Sequence, residues 1–261
     1  MITEYYIVNP TGNITALVVS ETNVGKYKNV SLGIMKNHPE VEQVGFVDLS
    51  GEYPKLRMAG GEFCGNATIS TAALFCKEKD VTAAEVKVSV FGTQDPVTVK
   101  IKREHDRYFG ETYLSKPISI KIEHFAVRGN SYNLPLARFP GIAHIICEEN
   151  LGFEINEMIL KKYAEEFGVP AIGIMIYDRK NNTICPVVYV GDCDTLIREN
   201  SCVSGTIATA SYLLTDNDIV NLDIKQPGGV LNVFASKSEP KIKITGTAVI
   251  ENHYEEEFDY E

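Results

Sequence analysis

No stretch of this 261-residue chain stays apolar for the roughly 20 residues that a membrane-spanning helix needs. A membrane protein is therefore not expected. The opening residues MITEYYIVNPTGN hold no basic segment followed by an apolar one, so no secretory leader is expected and the reading is a cytoplasmic chain. Positive charge is also scarce: 25 Lys and Arg stand against 35 Asp and Glu, a formal net charge of −10, with no basic cluster. A protein that follows a phosphate backbone presents a basic stripe, so nucleic acid is not an expected partner. There is no C-x-x-C pair. Cys185 and Cys193 stand eight residues apart around a proline and a glycine, which is not zinc spacing, and no metal is expected. Six cysteines without a leader suit a reducing compartment in which thiols remain thiols.

What is present is ordinary globular material, 44% hydrophobic and 23% charged, enough for one large domain or two of roughly 100–150 residues. Strand patterns dominate: Tyr5–Val8, Ile14–Val19, Gln43–Leu49, Val86–Phe91, Val97–Ile101, Ile118–Ile122, His144–Cys147, Ile172–Tyr177, Val187–Val190, Leu231–Ala235 and Ile242–Ile250. Helical patterns are fewer, at Val24–Asn37, Asn66–Lys77, Ile155–Phe167 before Gly168 and Pro170, and Gly205–Leu214. The class is mixed α/β. The order strand, helix, strand, cysteine-bearing helix, strands occurs in residues 1–113 and again in 118–246, so a break is expected near Ser115–Ser119 (SKPIS). The expected domains are 1–115, joined by 247–261, and 118–246. The acidic end HYEEEFDYE reads as a solvated terminus.

The repetition is sharper than that order. Glu62–Phe75 reads EFCGNATISTAALF and Asn200–Leu214 reads NSCVSGTIATASYLL, so C-x-x-x-T-I-x-T-A occurs at Cys64 and again at Cys202. Each cysteine falls at or just before a helix N-terminus, where unpaired N–H groups and a partial positive charge favour a thiolate and bind a carboxylate. That helix end is worth about 0.3–1 kcal/mol and up to ~2. With about 1.4 kcal/mol per pKa unit, it lowers a free-thiol value near 8.5 by roughly one unit. A thiolate near neutral pH is the expectation. Two such groups facing one cleft titrate as a pair, one thiolate and one thiol. That state suits two-base racemisation: one sulfur removes the α-proton and the other delivers a proton to the opposite face. A cysteine at such a place is also, commonly, a small buried hydrophobe; the repeat is what favours chemistry here. Cys76, Cys147 and Cys185 lie in apolar patterns and read as core, while Cys193, in a GDCD turn, has no assignment.

These segments resemble the diaminopimelate epimerase-like superfamily of cofactor-independent racemases and epimerases, whose two halves each carry a catalytic cysteine. Within it the chain is similar to the histidine racemases of staphylopine-type opine-metallophore biosynthesis, through Asn9–Thr15 (NPTGNIT), Glu42–Phe46 (EQVGF), Glu62–Thr68 (EFCGNAT), Leu196–Cys202 (LIRENSC), Ser204–Thr206 (SGT) and Gln226–Gly229 (QPGG). The resemblance implies two pseudo-symmetric halves, each a barrel-like sheet around a central helix, with the site in the cleft between them. It implies Cys64 and Cys202 as the acid/base pair, and the N–H groups of Gly65, Asn66, Val203 and Ser204 as the carboxylate cradle. Asn13 and Glu42 become candidate cleft residues, although without the family they would read as a turn residue and a solvated charge. Glu199 is a candidate for the substrate ammonium; otherwise it is an acid placed favourably before a helix. No cofactor is implied. The implied partner is a small-molecule amino acid, and a homodimer stays open.

Two departures from the superfamily pattern bear on the substrate. Val203 replaces the usual glycine after the second cysteine; a β-branched residue resists positive φ and adds bulk. Diaminopimelate enzymes carry GNPH and ERG segments that grip the far end of their substrate, where this chain has Gly141–His144 (GIAH) and Leu196–Glu199 (LIRE). Lacking those partners, it would desolvate a distal ammonium and carboxylate at high cost. Histidine racemisation is the expectation, diaminopimelate or another amino acid the alternative, and a non-catalytic amino-acid binder or thiol sensor the alternative of another class.

Overall fold

The computed structural model describes residues 2–148 and 155–258. In chain order the elements are β1 (Ile2–Asn9), β2 (Thr15–Val18), α1 (Tyr27–Asn37, after a short 3-10 turn), β3 (Gln43–Asp48), β4 (Lys55–Met58), α2 (Gly65–Glu78), β5 (Ala83–Val90), β6 (Val97–Glu104), β7 (Arg107–Ser115), β8 (Ser119–Val127), β9 (Asn130–Phe139), β10 (Ile142–Glu148), α3 (Glu157–Phe167), β11 (Ala171–Asp178), β12 (Thr183–Val190), β13 (Thr195–Arg198), α4 (Val203–Leu213), β14 (Ile219–Gln226), β15 (Gly229–Ser236) and β16 (Lys241–Glu257). The chain divides into two compact units, the first Met1–Tyr113 with Thr245–Glu261, the second Leu114–Ile244.

In the first unit the strand order is β1-β2-β3-β4-β5-β6-β7-β16, and β16 pairs back onto β1, which closes the sheet into a barrel of eight strands. Closure leaves no edge to protect. Helix α2 packs against β2, β4, β5 and β6, and every residue from Gly65 to Leu74 is buried. Its run of Gly, Ala, Ser and Thr makes a thin helix, which is what a barrel of this size can hold. Strands β5 and β6 alternate, with Val86, Val88, Val90, Val97, Val99 and Ile101 inward and Lys87, Ser89, Thr98 and Lys100 outward. Helix α1 lies against β3 and turns Val30 and Ile34 into the core.

In the second unit the order is β15-β14-β12-β11-β10-β9-β8, with β13 on β12. Strands β10 and β11 are parallel and are joined through α3. Their sequences IAHIICE and AIGIMIYD are buried nearly throughout, as expected of parallel strands covered on both faces. Helix α4, buried from Val203 to Ser211, packs against β9, β10, β11, β14 and β15, while α3 packs against β11 and β12. Asn156 caps α3 by accepting the Ile159 N–H, and Gly168 ends it in the left-handed conformation at φ 63°.

The structure differs from the sequence reading in several places. Strands β4, β7, β9, β13 and β14 were not expected. In β7 (RYFGETYLS) the buried positions are Tyr108, Gly110, Thr112 and Leu114, so a glycine and a threonine conceal the apolar period. Gly110 is there for space: a Cβ would stand 2.5 Å from Ile69 Cγ2 of α2. The acidic end is not a solvated terminus as far as it is described. His253–Glu257 completes β16 against β1, and Phe258 is buried in the core beside Gly33; residues 259–261 lie outside the described residues. Cys76 and Cys147 are buried, but Cys185 is exposed, because β12 turns Ile184 and Pro186 inward and Cys185 outward. Among the described residues no helix is long and apolar enough to cross a membrane.

Candidate active site

Cys64 and Cys202 are N-cap residues, each in the same extended conformation: φ −128° and ψ 113° for Cys64, φ −138° and ψ 111° for Cys202. Each sulfur accepts an N–H from its helix's first turn, Ala67 N at 3.3 Å and Gly205 N at 3.4 Å. The repeated threonine secures each cap. Thr68 donates to the Cys64 carbonyl through its N–H at 3.0 Å and its hydroxyl at 2.7 Å. Thr206 does the same to the Cys202 carbonyl at 2.9 and 2.7 Å. The motif C-x-x-x-T is thus the covalent record of one device used twice. Gly65 and Asn66, like Val203 and Ser204, occupy the first two helical positions, whose N–H groups have no carbonyl one turn earlier inside the helix.

In the first unit a directional chain of hydrogen bonds reaches Cys64. Asn13, fully buried, donates through Nδ2 to Glu42 Oε2 at 2.7 Å. A carboxylate accepts, so the Asn13 amide turns Oδ1 the other way, toward Gln43 Nε2. Gln43 Nε2 also donates to Thr15 Oγ1 at 2.9 Å. The remaining Gln43 atom, Oε1, accepts the Cys64 thiol at 3.1 Å. An amide oxygen only accepts, so this geometry presents Cys64 to Gln43 as a thiol.

In the second unit Cys202 is buried, its N–H donating to Gln226 Oε1 at 2.7 Å while Gln226 Nε2 donates to Thr206 Oγ1 at 2.9 Å. Its sulfur lies 3.5 Å from Ser204 Oγ, and Ser204 Oγ lies 2.8 Å from His144 Nε2. His144 is fully buried, and desolvation lowers its pKa to about 3, so the ring is neutral at pH 7. Its Nδ1 has no hydrogen-bond partner among the described residues. The arrangement suits the tautomer with the proton on Nε2, donated to Ser204 Oγ, which leaves the Ser204 hydrogen for the sulfur. Gly173 makes room for this ring, since a Cβ there would stand 2.4 Å from Nδ1.

The electrostatic expectation fails at Cys202. Burial pushes its thiol well above the ordinary range and the Glu199 charge adds to that, against hydrogen bonds from Ser204 and Gly205 that lower it. Desolvation outweighs the helix end. Val203 raises no backbone conflict, for it stands as the first helical residue of α4 and is not among the residues with positive φ.

Of the residues picked from sequence, Asn13, Glu42, Gly65 and Asn66 fall in the unit of Cys64, and Glu199, Val203 and Ser204 in that of Cys202. Glu199 is half-buried. Sequence reasoning missed Gln43, Thr15, His144 and Gln226 as partners. Gln43 and Gln226 lie inside the EQVGF and QPGG segments, which was the available signal; nothing marked His144 as the neighbour of Ser204. Among the described residues no group of three or more His, Cys, Asp or Glu side chains is placed to hold a metal ion.

Residues 2–252 match the family described as the histidine racemase CntK N-terminal domain. A histidine racemase of Fusobacterium nucleatum subsp. nucleatum is 32% identical over 247 residues, 90% of each chain. One from Staphylococcus aureus strain Mu50 is 26% identical over 245 residues, 90% of this chain and 89% of that one. The crystal structure of a hydroxyproline epimerase from Agrobacterium vitis with bound trans-4-hydroxy-L-proline matches with a TM-score of 0.66 at 10% identity, over 97% of this chain and 92% of that one. At that identity the likeness speaks for the fold alone. With a family match that spans both cysteine-capped helices, the chain belongs to the histidine racemase CntK N-terminal domain family and is an amino-acid racemase, an isomerase.

Proposed function

We propose that the chain interconverts L- and D-histidine by proton transfer at Cα, with Cys64 acting on one face and Cys202 on the other and no organic cofactor or metal involved. The observation that carries this reading is the matched pair of N-cap cysteines, alike in backbone angles, in the N–H each sulfur accepts and in the threonine behind each. One sulfur, as thiolate, takes the α-proton. The electron pair left on Cα spreads onto the carboxylate, and the other sulfur, as thiol, protonates Cα from the opposite face. Turnover leaves the first cysteine a thiol and the second a thiolate, so the reverse direction uses the same groups in exchanged roles. The N–H groups of Gly65, Asn66, Val203 and Ser204 hold the carboxylate where this charge develops.

Glu199 receives the substrate ammonium. A cation beside Glu199 offsets the charge that helps to keep Cys202 protonated, so substrate binding itself favours the thiolate. Glu42 supplies a contact for a ring or ammonium nitrogen, and the buried Asn13, donating to its carboxylate, holds it in place. Histidine is supported by the relatives named above and by its chemistry, since a compact, largely neutral imidazole spares the pocket a buried charge pair. A two-thiol mechanism needs a reducing compartment in which thiols remain thiols, so action in the cytoplasm belongs to this reading, and supply of D-histidine to an opine metallophore is the use that the family resemblance implies.

Incubation with a panel of L-amino acids in deuterated water, read by proton NMR and by chiral separation, tests this. The expected result is loss of the histidine α-proton with appearance of D-histidine, and kcat/KM for histidine at least tenfold above diaminopimelate, about 1.4 kcal/mol of transition-state preference. Cys64→Ser and Cys202→Ser should each slow turnover by ~10²–10⁴-fold. Near-normal two-way racemisation by either variant removes the two-thiol mechanism. A preference for another amino acid removes the substrate assignment.

A further inference from the structure

On β4 of the first unit Leu56 and Met58 are buried, while Lys55 and Arg57 face outward. Directly across on β3, Asp48 stands opposite Lys55 and Phe46 opposite Arg57, so all four share the outer face of the barrel. Gln43, which meets the Cys64 thiol, falls on the other face of β3 by the same alternation. The outer face is hollowed into an open groove of about 900 Å³, a size that small-molecule sites commonly have. Its lining holds three aromatic rings and a cation with no counter-charge. Tyr27, at the start of α1, stacks on Phe46 with ring centroids 3.5 Å apart. Phe91, 47% exposed, carries the Arg57 guanidinium carbon 3.9 Å above its ring. Burial raises the Tyr27 pKa and the Arg57 charge works against that, which places the guanidinium near the Tyr27 hydroxyl as well. Arg57 is half-buried and has no hydrogen-bond or ion-pair partner among the described residues. Asp48 is already engaged, accepting Lys55 Nζ at 3.0 Å and the Ser50 hydroxyl at 2.6 Å. Glu21, the other acid lining the groove, is exposed and makes no ion pair among the described residues.

We infer that this groove is a second binding site, for a small aromatic carboxylate, distinct from the site at Cys64. The guanidinium gives one face to Phe91 and keeps its edge, where a fork of N–H donors matches the two oxygens of a carboxylate. The exposed parts of Phe91 and Tyr27 give a flat ring something to lie against. A phosphate dianion fits less well, because one unpaired cation faces it while Asp48 and Glu21 line the same groove with like charge. An uncharged ring would leave the half-buried guanidinium without an acceptor, so the carboxylate supplies what the groove lacks.

Titration of the full-length chain with 2-naphthoate, followed by saturation-transfer NMR, tests the site. The wild type is expected to bind it saturably, and to bind 2-naphthalenemethanol and 2-naphthyl phosphate at least tenfold more weakly. Arg57→Gln, which keeps a polar side chain of similar reach but removes the charge and the fork, is expected to weaken 2-naphthoate at least tenfold. Arg57→Lys keeps the charge without the fork and is expected to fall between the two. Phe91→Leu, a change at a half-exposed ring, is expected to weaken binding several-fold with an unaltered circular dichroism spectrum, which separates loss of the site from loss of the fold. Cys64→Ser is expected to bind 2-naphthoate as the wild type does. Absence of saturable binding by the wild type overturns the proposal. So does equal or tighter binding of the alcohol or the phosphate, an affinity indifferent to Arg57→Gln or to Phe91→Leu, or binding that Cys64→Ser abolishes.

Discussion

Cys202 is harder to ionise than its place at a helix N-terminus alone implies, and the reason lies in its neighbours. Burial raises its thiol first and Glu199 second, while Ser204 and Gly205 pull the other way. Neutralising Glu199 removes a raising cause without touching the hydrogen bonds that lower it. In Glu199→Gln, the pH midpoint for alkylation of Cys202 by iodoacetamide, followed peptide by peptide by mass spectrometry, should fall. Since the thiolate is the reactive form, alkylation at a fixed pH below the midpoint should quicken measurably. Ser204→Ala should move the midpoint upward. If Glu199→Gln leaves or raises it, the carboxylate is not what holds the proton on Cys202. The residues at stake were partly legible from sequence: the repeat exposes both cysteines, but burial does not appear in a motif, so the direction of the Cys202 shift was read with the wrong sign.

The two cysteine-capped helices show how one element is fitted to two surroundings. Their third helical positions are Ala67 in α2 and Gly205 in α4. The first tolerates a methyl group. At Gly205 a Cβ would stand 2.1 Å from Met175 Sδ, 3.0 Å from its Cε and 3.3 Å from Cys202 Sγ. Gly205→Ala should therefore cost about 1–3 kcal/mol of stability through overpacking, with a fall in turnover because the displaced turn carries the Cys202 cap. Met175→Ala in the same chain should recover part of both by vacating the space. Thermal denaturation and kcat for the two variants check this; a stable, fully active Gly205→Ala shows that the methionine yields freely. The helices themselves were plain in the sequence, being long and bounded by Asn, Gly or Pro. The short strand β4 and the glycine- and threonine-bearing β7 were not: β4 (KLRM) alternates over only four residues, with Leu56 and Met58 inward, and in β7 Gly110 and Thr112 interrupt the apolar period.

At the scale of the whole molecule, the first unit is made from both ends of the chain, and the segment that returns is its closing strand. Phe258, just past β16, is 7% exposed and packs in the core with Tyr5, Val30 and Ile34. Phe258→Ala should destabilise that unit by about 3 kcal/mol, the low end for an aromatic removed from a core. Hydrogen exchange should rise in α1 and β1–β3, with β10–β12 of the second unit unchanged. Unaltered exchange in α1 would return the tail to the solvated role its acidic composition suggests. What the sequence by itself determined is chemical and local: two capped helices, the cysteines before them, the alternation of β5 and β6, and the absence of basic or membrane-spanning stretches, all properties of residues within a few positions of one another. What only the tertiary structure decided depends on groups distant in the chain: which carbonyl faces the Cys64 thiol, how deeply Cys202 is desolvated, why His144 has room beside Gly173, and that an acidic C-terminus closes a barrel. Desolvation and packing are set by whatever the rest of the fold brings alongside, and no local pattern carries that information.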